Sequence, residues 1–170
     1  MFFVNTMSDT FHKDFSAKQI KQVFDVMKKY PQHAFQVLTK RSKRMKNLSL
    51  DWTENIWAGV TVEHPDYKSR IDDLRQVPAK VKFLSIEPLL ADLGELNLKG
   101  IDWVIIGGLS GVSKKTFEEL GITQEKFEKW VRNVIRQAKK AKCKIFYKQG
   151  FGFRPEKEPF IDGKQYLEFP

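Results

Sequence analysis

The sequence predicts an α/β fold: a partial, TIM-like barrel of about six parallel strands with βα repeats. Three observations predict it. Trp103-Val104-Ile105-Ile106 is apolar without alternation, as in a strand buried on both faces, and it breaks into Gly107-Gly108-Leu109-Ser110-Gly111. Strand-like and helix-like stretches alternate, with strands about 20–45 residues apart, the spacing of parallel units joined by right-handed crossovers. Each strand-like stretch ends in polar residues, and in such folds ligands bind at the carboxyl ends of the strands.

Taken in order, Phe2-Phe3-Val4 reads as a first strand ending in Asn5-Thr6-Met7-Ser8-Asp9. Ser16 and Gln19 form a capping box, and Ile20, Val23, Phe24 and Met27 come next at helical spacing up to Tyr30-Pro31. Ala34–Leu38 is the second strand. After it, Lys40, Arg41, Lys43, Arg44 and Lys46 place five cations in seven positions, on a short helix. Ile56–Val62 is the third strand, succeeded by a helix over Asp66–Gln76 with Tyr67, Ile71 and Leu74 inward. Val81–Ile86 is the fourth, ending in Glu87-Pro88, with a small helix or turn expected at Leu93–Leu98. Beyond the fifth strand at Trp103, Thr123 caps a long helix with a core stripe of Phe127, Trp130, Val131, Val134, Ile135 and Ala138. Lys144–Tyr147 is the sixth strand. Residues 1–170 read as a single domain, with 151–170 an irregular tail carrying a late short strand near Tyr166.

Composition narrows the function. The chain has 170 residues and a formal charge of +9, from 30 Lys+Arg against 21 Asp+Glu. That excess favours nucleic acid or another acidic partner over a neutral one; a solvated lysine-rich surface is the plain alternative. Cys143 is the only cysteine, so neither a disulfide framework nor a cysteine metal cluster can form within the chain. No apolar run reaches the roughly 18 residues of a membrane span, and Met1-Phe2-Phe3-Val4 lacks the basic start of a signal peptide. No membrane association and a cytoplasmic setting are expected.

The strand ends supply the candidate ligand pocket: Asn5, Ser8, Asp9, Thr39, Lys40, Glu63, Glu87, Gly107, Gly108, Ser110 and Lys148. Asn and Ser there also serve as turn residues and helix caps. Glu87, directly after an apolar strand, needs a cation such as Lys40, Arg41 or Lys148, or else solvent. Asp9 and Glu87 are the candidate catalytic acids. The glycine stretch matches neither a Walker loop nor a dinucleotide fingerprint, yet its N–H groups could cradle a phosphate. Asp9, His12, Glu63 and His64 fit no metal-ligand spacing, so no metal is expected. For nucleic acid, the cluster Lys40, Arg41, Lys43, Arg44 and Lys46 is the first candidate. A second basic flank runs through Lys126, Lys129, Arg132, Arg136, Lys139 and Lys140. Trp52, Trp57, Trp103 and Trp130 read as core.

The strand-end words form an ordered set: Val4-Asn5-Thr6-Met7-Ser8-Asp9, Phe35-Gln36-Val37-Leu38-Thr39-Lys40-Arg41, Trp57-Ala58-Gly59-Val60-Thr61-Val62-Glu63, Ser85-Ile86-Glu87-Pro88-Leu89-Leu90, Asp102–Gly108 with Ser110-Gly111, and Lys148-Gln149-Gly150. Over residues 1 to about 152 the set resembles a phage-borne family of unknown function whose full-length members look like radical-SAM-type partial TIM barrels. Those members carry a preceding strand and a three-cysteine motif. This chain opens at what would be the second strand, as a natural truncation or split-gene product would. The resemblance therefore implies the pocket without the cluster and no cofactor, because iron–sulfur centres need thiolates.

Two readings are open. The first is a non-catalytic basic protein that binds nucleic acid or a ribonucleoprotein; since phages use small basic proteins in counter-defence, an anti-CRISPR inhibitor is one form of it. The second is an enzyme acting on a nucleotide or phosphorylated substrate, with Glu87 or Asp9 as acid/base and Lys40 or Lys148 on phosphate. A barrel short of strands exposes an edge, through which a homodimer or a partner chain would join.

Overall fold

The computed structural model describes residues 1–152 and 154–170, apart from the side chain of Lys114. Six strands form one sheet: β1 (Phe2–Val4), β2 (Phe35–Thr39), β3 (Ile56–Thr61), β4 (Lys82–Ile86), β5 (Trp103–Gly107) and β6 (Lys144–Gln149). Every neighbouring pair is parallel, and sheet order is chain order. Between them run α1 (Ala17–Lys28), α2 (Ser42–Asn47), a 3-10 turn at Pro65–Tyr67 leading into α3 (Ser69–Arg75), α4 (Lys114–Glu119) and α5 (Gln124–Lys140).

The helices cover one face. Phe24, Met45, Leu74 and Val131, from four helices, share a core with Val37, Val60, Leu84, Val104 and Ile145 of the sheet. The other face carries its own cluster, Phe83, Trp103 and Ile105 with Leu38, Trp57 and Phe146, to which no helix contributes. Helices on one side only, and strands in chain order, curl the sheet into an open half-barrel with a concave aromatic floor. The Phe83 ring lies across β3 where Gly59 has no side chain; a Cβ there would collide with it. Phe169 from the tail closes the floor, 5.3 Å from the Trp103 ring and 5.2 Å from Phe146. Burying Phe83 and Trp103 stabilises the fold by about 2 kcal/mol each.

The two edges differ. β6 is covered by the tail, with Tyr147 N–H donating to the Tyr166 carbonyl (2.8 Å) and Glu168 N–H to that of Ile145 (2.9 Å). The outer edge of β1 has no strand beside it among the described residues.

Several elements depart from the sequence expectation. The helix expected over Asp66–Gln76 is two pieces, and Tyr67 is exposed rather than inward, with the Arg70 guanidinium 4.1 Å above its ring. α2 begins at Ser42, so Lys40 and Arg41 belong to the strand end. No helix forms at Leu93–Leu98; Leu93 and Leu98 are buried from irregular chain. α4 went unforeseen as a separate helix. Gly121, at φ +62°, ends it in the left-handed conformation that glycine adopts without strain. The late strand near Tyr166 is a single antiparallel bridge between Phe146 and Leu167. The capping box at Ser16 and Gln19 is present, with both reciprocal bonds.

Candidate functional site: the strand-end rim and its basic groove

The polar strand ends gather along the carboxyl edge of the sheet. At β1, Asn5 takes φ +58° and its carbonyl accepts from Ser8 N–H (3.1 Å), turning the chain so that Asp9 faces the end of β2. The Asp9 carboxylate accepts from the Thr39 hydroxyl (2.7 Å), Arg41 Nη1 (2.7 Å) and Phe11 N–H (2.8 Å). At β3, Glu63 is buried and holds Lys40 at 2.7 Å and Arg70 at 2.9 Å. Arg70 Nη1 also donates to the Thr61 carbonyl (2.7 Å). Burial pushes the Glu63 carboxyl up, but the Lys40 hydrogen bond and the Lys40 and Arg70 charges outweigh it and hold it below the usual glutamate range.

At the β4–β6 end, both Glu87 oxygens accept from Lys148 Nζ, at 2.9 and 3.1 Å. This meets the sequence requirement of a cation beside Glu87. Gly107 is packed against Glu87, whose Cδ would stand 3.0 Å from an added Cβ. A Cβ on Gly108 would collide with the Gly150 carbonyl oxygen, and the Gly108 N–H donates to the Gln149 carbonyl (3.1 Å). These glycines permit close packing of backbone. Ser110 lies further out, exposed and with no hydrogen bond among those of the described residues.

Of the five clustered cations, four have partners inside the fold. Lys40 binds Glu63, Arg41 binds Asp9, and Lys46 binds Asp73 at 2.5 Å. Arg44 donates to the carbonyls of Phe11, His12 and Phe15. Lys43 is exposed and makes no ion pair or hydrogen bond among the described residues, though its charge reaches Asp73. These anchors line a groove of about 350 Å³ between α2 and α3, walled by Lys13, Lys40, Arg41, Lys43, Arg44 and Arg70, with Asp73 its one carboxylate. Asp73 is itself neutralised: burial pushes it up, while hydrogen bonds from Lys46 and Ser42 pull it below its usual range. Arg41 and Arg70 each bind their carboxylates through Nη1 alone. The Arg41 side chain is 39% exposed, which leaves room for a second, anionic contact, whereas Arg70 is 14% exposed with its guanidinium over the Tyr67 ring.

A second cavity of about 290 Å³ lies on the other side of Lys40 and Arg41, lined by Phe3, Asn5, Thr6, Ser8, Thr39 and Thr61. Among the described residues no three His, Cys, Asp or Glu converge as metal ligands. His12 and His64 instead cap local turns, accepting from the N–H of Asp14 and of Asp66. On the second basic flank, Arg132 binds Glu128 and Asp162, Arg136 faces Glu95, and Lys139 donates to the Tyr166 hydroxyl. Trp103 is buried, and Trp52, Trp57 and Trp130 are half-buried against the cores.

Sequence reasoning missed Arg70, Asp73, Lys13 and Phe3. Asp73 had a signal: a carboxylate between inward-facing Ile71 and Leu74 must find a cation. Arg70 stands seven residues past Glu63, within reach once α3 turns back on β3.

Cys143 precedes β6 at the amino end of the sheet, opposite the rim; its thiol donates to the Ile101 carbonyl (3.1 Å), and burial pushes it up to about 11. No helix is long and apolar enough to cross a membrane among the described residues. No curated protein and no solved structure matches the chain. The strand-end words that carry the rim lie within a match, over residues 1–166, to the family described as protein of unknown function DUF5131, and the chain belongs to that family.

Proposed function

We propose that the protein is a non-catalytic nucleic-acid-binding protein that holds the phosphate backbone in the groove between α2 and α3. One observation carries the reading: six cations line that groove against a single, already neutralised carboxylate. Arg41 is fixed by Asp9 through Nη1, so little side-chain freedom is lost when its other nitrogens meet phosphate. Lys13 and Lys43 add mobile charge at the mouth. The carboxylates that an enzyme would use are occupied, Asp9 by Arg41 and Thr39, and Glu87 by Lys148. That favours binding over acid–base chemistry.

The scaffold itself we read as a phage-type, radical-SAM-like barrel. Six parallel strands in chain order support this. A ribonucleoprotein target, and with it anti-CRISPR inhibition, belongs to the same proposal, because a guide RNA backbone offers the same phosphates. Pairing of a second copy or a partner chain on the open edge of β1 is a separate element, read by light scattering.

The test is fluorescence anisotropy with a labelled oligonucleotide, on the wild type and on Lys13→Glu combined with Lys43→Glu. Both side chains are exposed and neither makes a hydrogen bond or ion pair among the described residues, Lys43 meeting Asp73 only through its charge, so the fold should hold. Affinity should fall at least about tenfold, while Lys129→Glu with Lys140→Glu on α5 should change it little. Equal affinity in the groove variant and the wild type would refute the reading.

A further inference from the structure

We propose that the strand-end cavity beside the groove takes one unpaired nucleotide, so that the preferred ligand is a single strand; this rests on the reading above. The two cavities share Lys40 and Arg41 as a common wall. A backbone held on the groove side therefore presents its next sugar and base to the other side. The cavity, about 290 Å³, is at the small end of ligand sites, the scale of one nucleoside.

Its lining suits a base. Phe3 is on the concave face, in register with Gln36 and Trp57, and 42% exposed at the open edge. It offers a flat stacking surface, and base–aromatic stacking tolerates any sequence. The side chains of Asn5, Thr6 and Ser8 have no hydrogen bonds among those of the described residues. An asparagine amide carries both a donor and an acceptor and matches a base edge. The one carboxylate, Asp9, is neutralised by Arg41 and does not repel a nucleotide. A base paired within a duplex cannot enter such a cavity without being extruded, which costs unstacking.

The experiment compares a labelled oligothymidylate of about 15 nucleotides with a blunt duplex of the same length. An oligouridylate arm shows whether the sugar matters, and a preference for either single strand over the duplex supports the proposal. The wild type should bind the single strand about tenfold more tightly than the duplex. Phe3→Leu, which keeps apolar bulk but removes the ring, and Asn5→Gly, which keeps the positive φ but removes the amide, should each erode that preference and leave duplex affinity unchanged. Phe3→Ala should erode it further. Equal affinity for strand and duplex in the wild type overturns this proposal and leaves the groove reading standing. An intact preference in Phe3→Leu, Phe3→Ala and Asn5→Gly also overturns it. Binding of neither ligand overturns both.

Discussion

At the β1–β3 end of the rim, Asp9 holds Arg41 and Glu63 holds Lys40 and Arg70, and all three cations line a groove. At the β4–β6 end, Glu87 takes a single lysine, and Gly107 and Gly108 are packed against the Glu87 side chain and the Gly150 carbonyl. Both ends use polar residues after buried strands. The difference lies in the connections that leave the strands. After β2 and β3, short helices return over the rim and bring Arg44 and Arg70 with them. After β5, the chain leaves over a longer loop before α4, and the adjacent backbone of β6 fills the space. A carboxylate–cation pair therefore acts as a positioning device at one end and as a closure at the other.

Four variants probe this contrast. The largest effect belongs to the closed end: Gly108→Ala forces a methyl group into the Gly150 carbonyl and should cost about 3 kcal/mol, read from urea unfolding. The groove should still bind in the fraction that folds. Charge reversal at Lys13 and Lys43 comes next, at about 1.4 kcal/mol or more of binding energy and only a small shift of the urea midpoint from the lost Lys43 charge near Asp73. Glu63→Gln should lower stability by about 1 kcal/mol while tightening nucleic-acid binding a few-fold, because Lys40 and Arg70 are released toward the groove. Glu87→Gln should leave binding unchanged; a loss of affinity there would erase the distinction between the two ends.

The smallest effect is a pH dependence. The Glu63 carboxyl is held below its usual range in the folded state. Its stabilising contribution is full above the unfolded value, about 4.3, and is lost as pH falls through the lower folded value. The stability gap between wild type and Glu63→Gln should therefore shrink on acidification below that range. A gap that stayed constant would show that the Lys40 and Arg70 contacts do not depend on the Glu63 charge.

The sheet was readable because buried parallel strands leave unbroken apolar runs, as at Trp103–Ile106, and because Ser16 and Thr123 announce their helices by side-chain caps. The rim was readable as a set, since strand ends converge wherever strands are parallel. The groove was not. The clustered cations read as one nucleic-acid patch, yet Lys40, Arg41, Arg44 and Lys46 find partners from the loop after β1, the residues just past β3, and α3, and only the fold brings these together. Arg70 and Lys13 complete the groove from distant parts of the sequence, without any local pattern of their own. The shape of the closed end likewise depends on Gly150 passing beside Gly108, a pairing set by register rather than by motif.

A salt series on oligonucleotide binding puts the phosphate-binding groove to the sharpest trial. If about four groove cations meet phosphates, the logarithm of the affinity should fall against the logarithm of salt with a slope of about −3 for a single strand. The Lys13→Glu, Lys43→Glu protein should flatten that slope by about 1.4, two contacts' worth. A slope near zero, or one that the double substitution leaves unchanged, would contradict a phosphate-binding groove between α2 and α3.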